Sequence, residues 1–395
     1  MSLLTLVLAV ALQGAVAHDS VTLAEALVRA RATRPLVTAA AAGVAEARGA
    51  ARAGMTVPNP VFSYTWTGDT PREHATVTQP LDWLLRHSSD HAAGTAGVVR
   101  AEADSQNTLA ALDRDVRVAF YDAVAASRTM ALTQEQAGLA DSLAHAADAR
   151  LAAGDISELE RDQVAQEAQR ARYAVSLARE DDRVAASALT RAVGGTTELV
   201  PVGALEDGLD LPLPTAGPLD QIPALRVALA DSAASAARSR AQSIAQLPLP
   251  DLQGGVEWND PTNPNQGSTE LLGFTIPLPL WNHGGGAAAE AKARARQDAA
   301  AAGEARLEAA RAVEERTVRL QEAAGRARFD RDSLYPAARR LRQRAITAYS
   351  AGATSVLPVF DAMRGEQDAA LTLVRDLVAY QDALAQWNAL LGRTD

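Results

Sequence analysis

An internal repeat of nearly 200 residues constrains this chain more than any other feature. Thr78-Gln79-Pro80-Leu81 recurs 197 residues later as Thr275-Ile276-Pro277-Leu278, and Ala153-Gly154-Asp155-Ile156-Ser157 recurs 198 residues later as Ala351-Gly352-Ala353-Thr354-Ser355. Two matches at nearly one offset predict a tandem duplication. We place the first repeat at 18–193 and the second at 219–395, joined by a Pro- and Gly-rich linker at 194–218.

Both halves predict the same order of elements: a helix, two short extended segments, a very long helix and a closing helix. The first helix is predicted over Thr22 to Ala53, and Thr22 with Glu25 forms the capping-box pattern of a helix start. The long helices are predicted over about Ser88–Ala152 and Gly286–Ser350, each ending at an Ala-Gly step. About 65 residues would span roughly 100 Å, so these helices must pack laterally along their length.

The composition fits long helices that pack closely. Hydrophobic residues make up 48% of the 395 residues but aromatic residues only 4%, so the apolar share comes largely from Ala, Leu and Val. Pro336 should kink or interrupt the second long helix. The shorter helices are predicted at Ser157–Val193, Leu219–Gln246 and Val356–Leu391.

Charge and cysteine content exclude several classes of protein. The formal charge of −10 argues against nucleic-acid binding, which needs a basic surface. The absence of cysteine excludes disulfides, thiolate metal sites, a Cys nucleophile and an N-terminal lipid anchor on Cys. Ser2 to Leu12 is an apolar run followed by Ala15-Val16-Ala17, which predicts a signal peptide at 1–17 and therefore export. A buried N-terminal helix is the alternative.

Four extended segments alternate with a period of two. They lie at about 60–67, 74–81, 251–258 and 270–278. In the first segment Phe62 and Tyr64 point to one side, and Ser63 and Thr65 to the other. Four of the five tryptophans lie in or beside these hairpins: Trp66, Trp83, Trp258 and Trp281. Such alternation with flanking aromatics is typical of a transmembrane β-barrel, with the tryptophans at the membrane interfaces. A pair of soluble hairpins capping a helix bundle is the alternative.

Four strands are too few to close a barrel by themselves. The smallest membrane barrels have about eight strands, and an open edge in lipid would leave backbone groups unpaired. If these segments span a membrane, several copies of the chain must each contribute four strands. The pattern therefore predicts an oligomer.

Motifs in four places resemble the outer-membrane efflux protein family, the TolC-like channels. They are Val21-Thr22-Leu23-Ala24-Glu25-Ala26-Leu27 with Arg34-Pro35; Val57-Pro58-Asn59-Pro60; Ile276-Pro277-Leu278-Pro279-Leu280-Trp281 with His283-Gly284-Gly285; and Tyr349-Ser350-Ala351-Gly352 with Asp361-Ala362. The resemblance covers nearly the whole mature chain. It implies a mainly α protein with a small membrane β part, assembled as a homotrimer with a twelve-stranded β-barrel continued by a periplasmic α-helical barrel.

The resemblance also implies partners and site residues. The partners are outer-membrane lipid, a periplasmic adaptor and an inner-membrane pump, and the chain lies in the outer membrane with most of its residues in the periplasm. Asp361 matches an acidic position of the periplasmic gate, Pro358 occupies a second one that some members carry, and Glu158 and Glu160 could supply charge instead. The adaptor-contacting tip turns match Ala153, Gly154, Asp155, Ala351, Gly352 and Ala353.

No enzyme or cofactor motif is found in the sequence. His87 and His91 have the i, i+4 spacing of metal ligands, with Asp90 nearby, but a polar helix start is the better interpretation. Gly284-Gly285-Gly286 lacks the Lys-Ser/Thr pair of a phosphate loop. We therefore expect no catalytic, cofactor or metal site, and predict the exit duct of a tripartite efflux pump for small molecules or metal ions. The alternatives are a soluble periplasmic coiled-coil scaffold and the channel of a type I protein secretion system.

Overall fold

The computed structural model describes residues 19–262, 265 and 267–393, so the predicted signal peptide at 1–17 lies outside the described residues. The described chain is mainly helical and carries a small β part, as predicted. Its strands are β1 (Asp19–Val21), β2 (Val61–Trp66), β3 (Glu73–Pro80), β4 (Leu199–Pro201), β5 (Asp251–Trp258) and β6 (Ser268–Thr275). Its helices are α1 (Leu23–Thr33), α2 (Pro35–Gly54), α3 (Trp83–Ala153), α4 (Glu158–Val193), α5 (Pro223–Ile244), α6 (Gly285–Phe329), α7 (Tyr335–Ser350) and α8 (Leu357–Leu390).

The prediction of one opening helix from Thr22 to Ala53 is wrong, because Pro35 divides it into α1 and α2. A residue before proline is pushed out of the α region, and Arg34 has ψ 118°. Pro35 then starts α2, where its missing N–H costs nothing. The capping box at the start of α1 is confirmed, since the Thr22 N–H donates to Glu25 at 2.9 Å and the Glu25 N–H donates to the Thr22 hydroxyl at 3.4 Å.

The chain folds into two compact units. The helical unit comprises the described chain up to Arg34 together with Ala111–Pro214 and Arg316–Ala389, and the sheet unit comprises Pro35–Ala110, Thr215–Glu315 and the described chain from Leu390. Each unit therefore includes residues of both predicted repeats. Among the described residues, no helix is both long and apolar enough to cross a membrane.

The helical unit has a core of large side chains. Its fully buried members include Phe120, Leu189, Leu205, Leu209, Leu377, Tyr380 and Trp387. The fifth tryptophan of the sequence, Trp387, is thus a core residue and not a surface one. Gln381 ties the linker to this core, because its side-chain amide donates to the carbonyls of Leu205 at 2.8 Å and Asp207 at 2.9 Å. β1 pairs in parallel with β4 at the edge of the unit.

In the sheet unit, both hairpins join one antiparallel sheet with the order β2-β3-β5-β6. The hairpin of the first repeat meets the hairpin of the second through β3 and β5, where Glu73 lies opposite Trp258 and Pro80 opposite Asp251. β6 ends at Thr275, short of the expected 278, because Pro277 has no N–H to continue the ladder. Helices pack closely in this unit: a Cβ on Gly94 of α3 would lie 3.1 Å from Ala51 of α2.

Candidate functional site

One face of the four-stranded sheet is apolar and exposed. Residues directly opposite each other on neighbouring strands share a face, so the register assigns each side chain to a side. Three of these side chains are among the most exposed apolar groups: Phe62 at 67%, Leu272 at 82% and Phe274 at 70%. The face also carries the apolar and aromatic residues Tyr64, Trp66, Ala75, Val77, Leu252, Val256 and Trp258. Its polar residues are Glu73, Gln79, Ser268 and Glu270, so the face is mostly but not entirely apolar. An apolar patch of this kind requires a partner other than water.

The opposite face is mostly polar. It carries Ser63, Thr65, His74, Thr76, Thr78, Asp251, Gln253, Glu257, Thr269 and Thr275, with Val61, Pro80 and Leu271 as apolar exceptions. The hydroxyls of Ser63 and Thr76 are 2.6 Å apart, and His74 Nδ1 lies 3.0 Å from Glu257 Oε1. Alternation of apolar and polar faces is the pattern of a sheet with lipid on one side and water on the other.

The sheet has two unpaired edges. Among the described strands, β2 pairs only with β3 and β6 pairs only with β5. Each edge therefore presents backbone N–H and C=O groups that another strand could pair with. Both edges belong to strands with an exposed apolar side, which an isolated soluble sheet would normally protect.

The four predicted interface tryptophans flank the sheet at its two ends. Trp66 and Trp258 lie at the turn end of the apolar face, where the Tyr64 and Trp258 ring centroids are 6.1 Å apart. Trp83 opens α3 just after β3, and Trp281 follows β6 and is 91% exposed. This placement fits the predicted interface role, which remains a prediction.

At the far ends of the long helices, the two tip turns have the same hydrogen-bond pattern. The Gly154 and Asp155 N–H groups donate to the carbonyls of Leu151 and Arg150, both at 2.9 Å. In the second repeat Gly352 donates to Tyr349 at 3.0 Å and Ala353 to Ala348 at 2.9 Å, so every donor and acceptor is shifted by 198 residues. Gly154 and Gly352 have φ of 81° and 72°, which favours glycine at a helix C-terminus. The six predicted adaptor-contacting residues of these turns are all exposed.

The two tip hairpins pack against each other in the helical unit. Ala147 and Val164 of the first hairpin share a buried cluster with Tyr349, Phe360 and other apolar residues of the second. The guanidinium of Arg150 stacks 5.0 Å from the centre of the Tyr349 ring. Sequence analysis missed these cross-hairpin contacts, because nothing in the spacing of either hairpin specifies its partner.

A charged link also joins the hairpins beside the predicted gate residue. Arg364 on α8 donates two hydrogen bonds, at 3.0 and 3.2 Å, to the Glu167 carboxylate on α4. Asp361 lies 3.8 Å from Arg364, and its side chain is 68% exposed. The salt bridge to Glu167 raises the pKa of Arg364. Asp361 is therefore available to solvent at the tip but is close to a cation.

The other two gate candidates start α4. Glu158 is exposed and Glu160 half-buried, and both lie in the first turn, where a carboxylate stabilises the helix dipole. The Ser157 hydroxyl caps this turn by accepting from the Glu160 N–H at 3.2 Å. The gate role of these acids and of Asp361 remains a prediction.

Two buried charges in the helical unit carry shifted pKa values that the sequence does not reveal. Burial raises the pKa of Glu366, which contacts Arg342, although the cation opposes the shift. Asp330 is 4% exposed, and burial together with the neighbouring Asp376 carboxyl raises its pKa.

His87 packs against the Trp83 ring at 6.4 Å, and the described residues hold no group of three His, Asp or Glu placed as metal ligands.

No family model and no curated protein matches this sequence. Solved structures do match its fold. One match is CusC, whose structure is described in terms of folding and transmembrane channel formation. It has a TM-score of 0.78 and 18% identity, over 94% of this chain and 92% of the CusC chain. The open state of the Neisseria gonorrhoeae MtrE outer-membrane channel has a TM-score of 0.75 with 17% identity over 94% and 89%. This chain has the outer-membrane channel fold.

A third structure extends the likeness across a complete chain. The outer-membrane protein VceC of Vibrio cholerae has a TM-score of 0.72 with 16% identity, over 94% of this chain and 97% of that one. The predicted mainly helical channel fold is therefore confirmed for the single chain over 94% of its length, and the trimer with its twelve-stranded barrel remains a prediction.

Proposed function

We propose that this protein is an outer-membrane channel that forms the exit duct of a tripartite efflux system. The observation that carries the proposal is the four-stranded sheet with one exposed apolar face, one polar face and two unpaired edges. Three such sheets joined edge to edge would satisfy both edges, place the apolar faces in lipid and enclose the polar faces around water. The likeness of the single-chain fold to CusC, MtrE and VceC supports an outer-membrane channel.

The helical unit would lie in the periplasm. Its tip turns are exposed and nearly identical in backbone geometry, which suits repeated contacts with a periplasmic adaptor. Asp361 on the exposed tip would contribute one carboxylate per chain to a ring at the entrance of the tunnel. An inner-membrane pump would load small molecules or metal ions, which then pass through the channel without further input of energy.

Cysteine cross-linking tests the edge-to-edge assembly, because the natural chain has no cysteine. Ser63→Cys on β2 should be combined in turn with Thr269→Cys, Leu271→Cys and Gly273→Cys on β6, all on the polar face. A disulfide requires Cα atoms within about 7 Å, so only the register used in the assembly should give covalent trimers. These trimers should be found in the outer-membrane fraction.

A matched control places the second cysteine on the wrong face. Leu272→Cys lies between Leu271 and Gly273 but on the apolar side, so its pair with Ser63→Cys should give no trimer. Soluble periplasmic monomers, or no covalent trimer in any of the three registers, would contradict the proposal. That outcome would favour the soluble scaffold.

A further inference from the structure

The polar face of the sheet holds few ionisable groups. Most of its side chains are hydroxyls and amides. The ionisable ones are Asp251, near the helical end of β5, and the pair His74 and Glu257, near the turns. Among the described residues of this face, His74 and Glu257 are the two ionisable groups that lie side by side, which makes this pair a candidate determinant of what passes along the face.

The row that contains this pair crosses the whole sheet. Thr65, His74, Glu257 and Thr269 lie directly opposite one another on β2, β3, β5 and β6. His74 Nδ1 and Glu257 Oε1 are 3.0 Å apart, and both side chains are 26% exposed. The pair is therefore held in place by a cross-strand contact but remains accessible from the polar side.

A glycine keeps the neighbouring position on β5 free of a side chain. Gly255 is two residues from Glu257 on the same face, and a Cβ there would lie 2.5 Å from the carbonyl oxygen of Ala75. A larger residue at Gly255 would therefore require the backbone of β3 to shift. Because this position is glycine, it provides no side chain that covers the carboxylate of Glu257.

We propose that Glu257 is a specificity-determining residue of the channel and gives it a preference for cations. This inference rests on the proposed function, because the row becomes a ring only when three copies enclose the polar faces. Carboxylate rings facing a water-filled pore attract cations and exclude anions. The site differs from the predicted tip gate, since it lies on the sheet and not on the helices.

The expected size of the effect follows from Coulomb's law with screening. Three unit charges at roughly 10 Å from a permeating ion, in water at 0.1 M salt, enrich cations about twofold and deplete anions by the same factor. The preference for cations over anions therefore changes about fourfold. At 0.01 M salt the Debye length is about 30 Å, and the same calculation gives about 20-fold.

The test is the reversal potential of the full chain reconstituted in planar bilayers under a KCl gradient. Glu257→Gln should lower the preference for K⁺ over Cl⁻ about fourfold at 0.1 M salt and more at 0.01 M. Glu270→Gln is a matched control, because Glu270 lies near the same end of the sheet but on its apolar face, opposite Val256. It should leave the preference unchanged.

The outcomes separate this inference from the proposed function. Unchanged selectivity in Glu257→Gln channels of normal conductance would overturn the inference alone, as would an equal change in Glu270→Gln. Absence of any conductance from the natural chain would overturn the proposed function and this inference with it. A loss of the preference for K⁺ over Cl⁻ in Glu257→Gln, but not in Glu270→Gln, that is larger at low salt supports the assignment.

Discussion

Removing the cation from the buried pair of Arg342 and Glu366 should strongly destabilise the helical unit. Arg342 on α7 contacts the Glu366 carboxylate on α8, and the two side chains are only 13% and 5% exposed. Burial raises the pKa of Glu366, and the nearby Glu135 adds to the shift while Arg342 opposes it. In Arg342→Met the carboxylate stays buried and loses this counter-charge.

The magnitude comes from the cost of leaving one member of a buried ion pair alone, which is about 3–5 kcal/mol. Methionine fills much of the volume of the arginine stem, so the cavity term should be small. A carboxyl whose folded-state pKa is raised favours folding more as the pH falls toward its unfolded value. The loss in Arg342→Met should therefore be largest at pH 8 and smaller at pH 5. The double variant Arg342→Met/Glu366→Leu should recover most of the stability.

Thermal unfolding of the full chain in detergent, followed by circular dichroism, measures this effect. A loss of about 3 kcal/mol should lower Tm by roughly 6 °C, at about 2 °C per kcal/mol for a large domain. Arg344→Met is the matched control, because Arg344 is exposed two residues later on the same helix. The reasoning is refuted if Arg342→Met and Arg344→Met have the same Tm at both pH values. It is also refuted if the double variant has no higher Tm than Arg342→Met.

Two further predictions address the sheet and the tip. Gly255→Ala should lower the temperature at which trimers dissociate in detergent, by an overpacking cost of about 1–3 kcal/mol, because its Cβ would lie 2.5 Å from a backbone oxygen. Gly273→Ala, with nothing within 4 Å of its Cβ, should behave as the natural chain in the same gel assay. Asp361→Asn should weaken block of the channel by divalent cations at least about tenfold in bilayer recordings; an unchanged blocking concentration would exclude Asp361 from the gate.

The sequence predicts the fold well because its two halves repeat the same local signals. Capping residues, Ala-Gly helix ends and the alternation of Phe62, Ser63 and Tyr64 act over a few residues, so they can be recognised without knowing the fold. The repeat then places the hairpins in equivalent positions. The resemblance to the channel family depends on four motifs that occur in the right order on a duplicated chain, since each motif alone is weak.

Contacts between distant segments could not be predicted in the same way. The row of His74 and Glu257 depends on the pairing of β3 with β5, which joins strands of different repeats about 180 residues apart. The link between Arg364 and Glu167 likewise depends on two hairpins packing together. Neither pair has a local signature, since each member alone is an ordinary charged residue on a strand or helix.

Pro336 shows how the helix accommodates a residue that should interrupt it. A proline in a helix lacks an N–H and clashes with the carbonyl four residues earlier, here that of Asp332. The chain forms a π-helical turn at Asp330–Leu334, which widens the helix at that point, and α7 then continues through Pro336 without a break. The predicted interruption therefore takes the form of one π-helical turn between α6 and α7.

The wide turn also preserves the phase of an exposed apolar stripe. Val318 and Phe329 are 11 residues apart, three full turns, and are 51% and 61% exposed. Leu341, also 61% exposed, follows Phe329 after 12 residues. In an uninterrupted α-helix, the twelfth residue lies about 100° further around the helix axis than the eleventh, so Leu341 would leave the side that carries Val318 and Phe329. A π-helical turn accommodates one additional residue and so returns Leu341 to the same side.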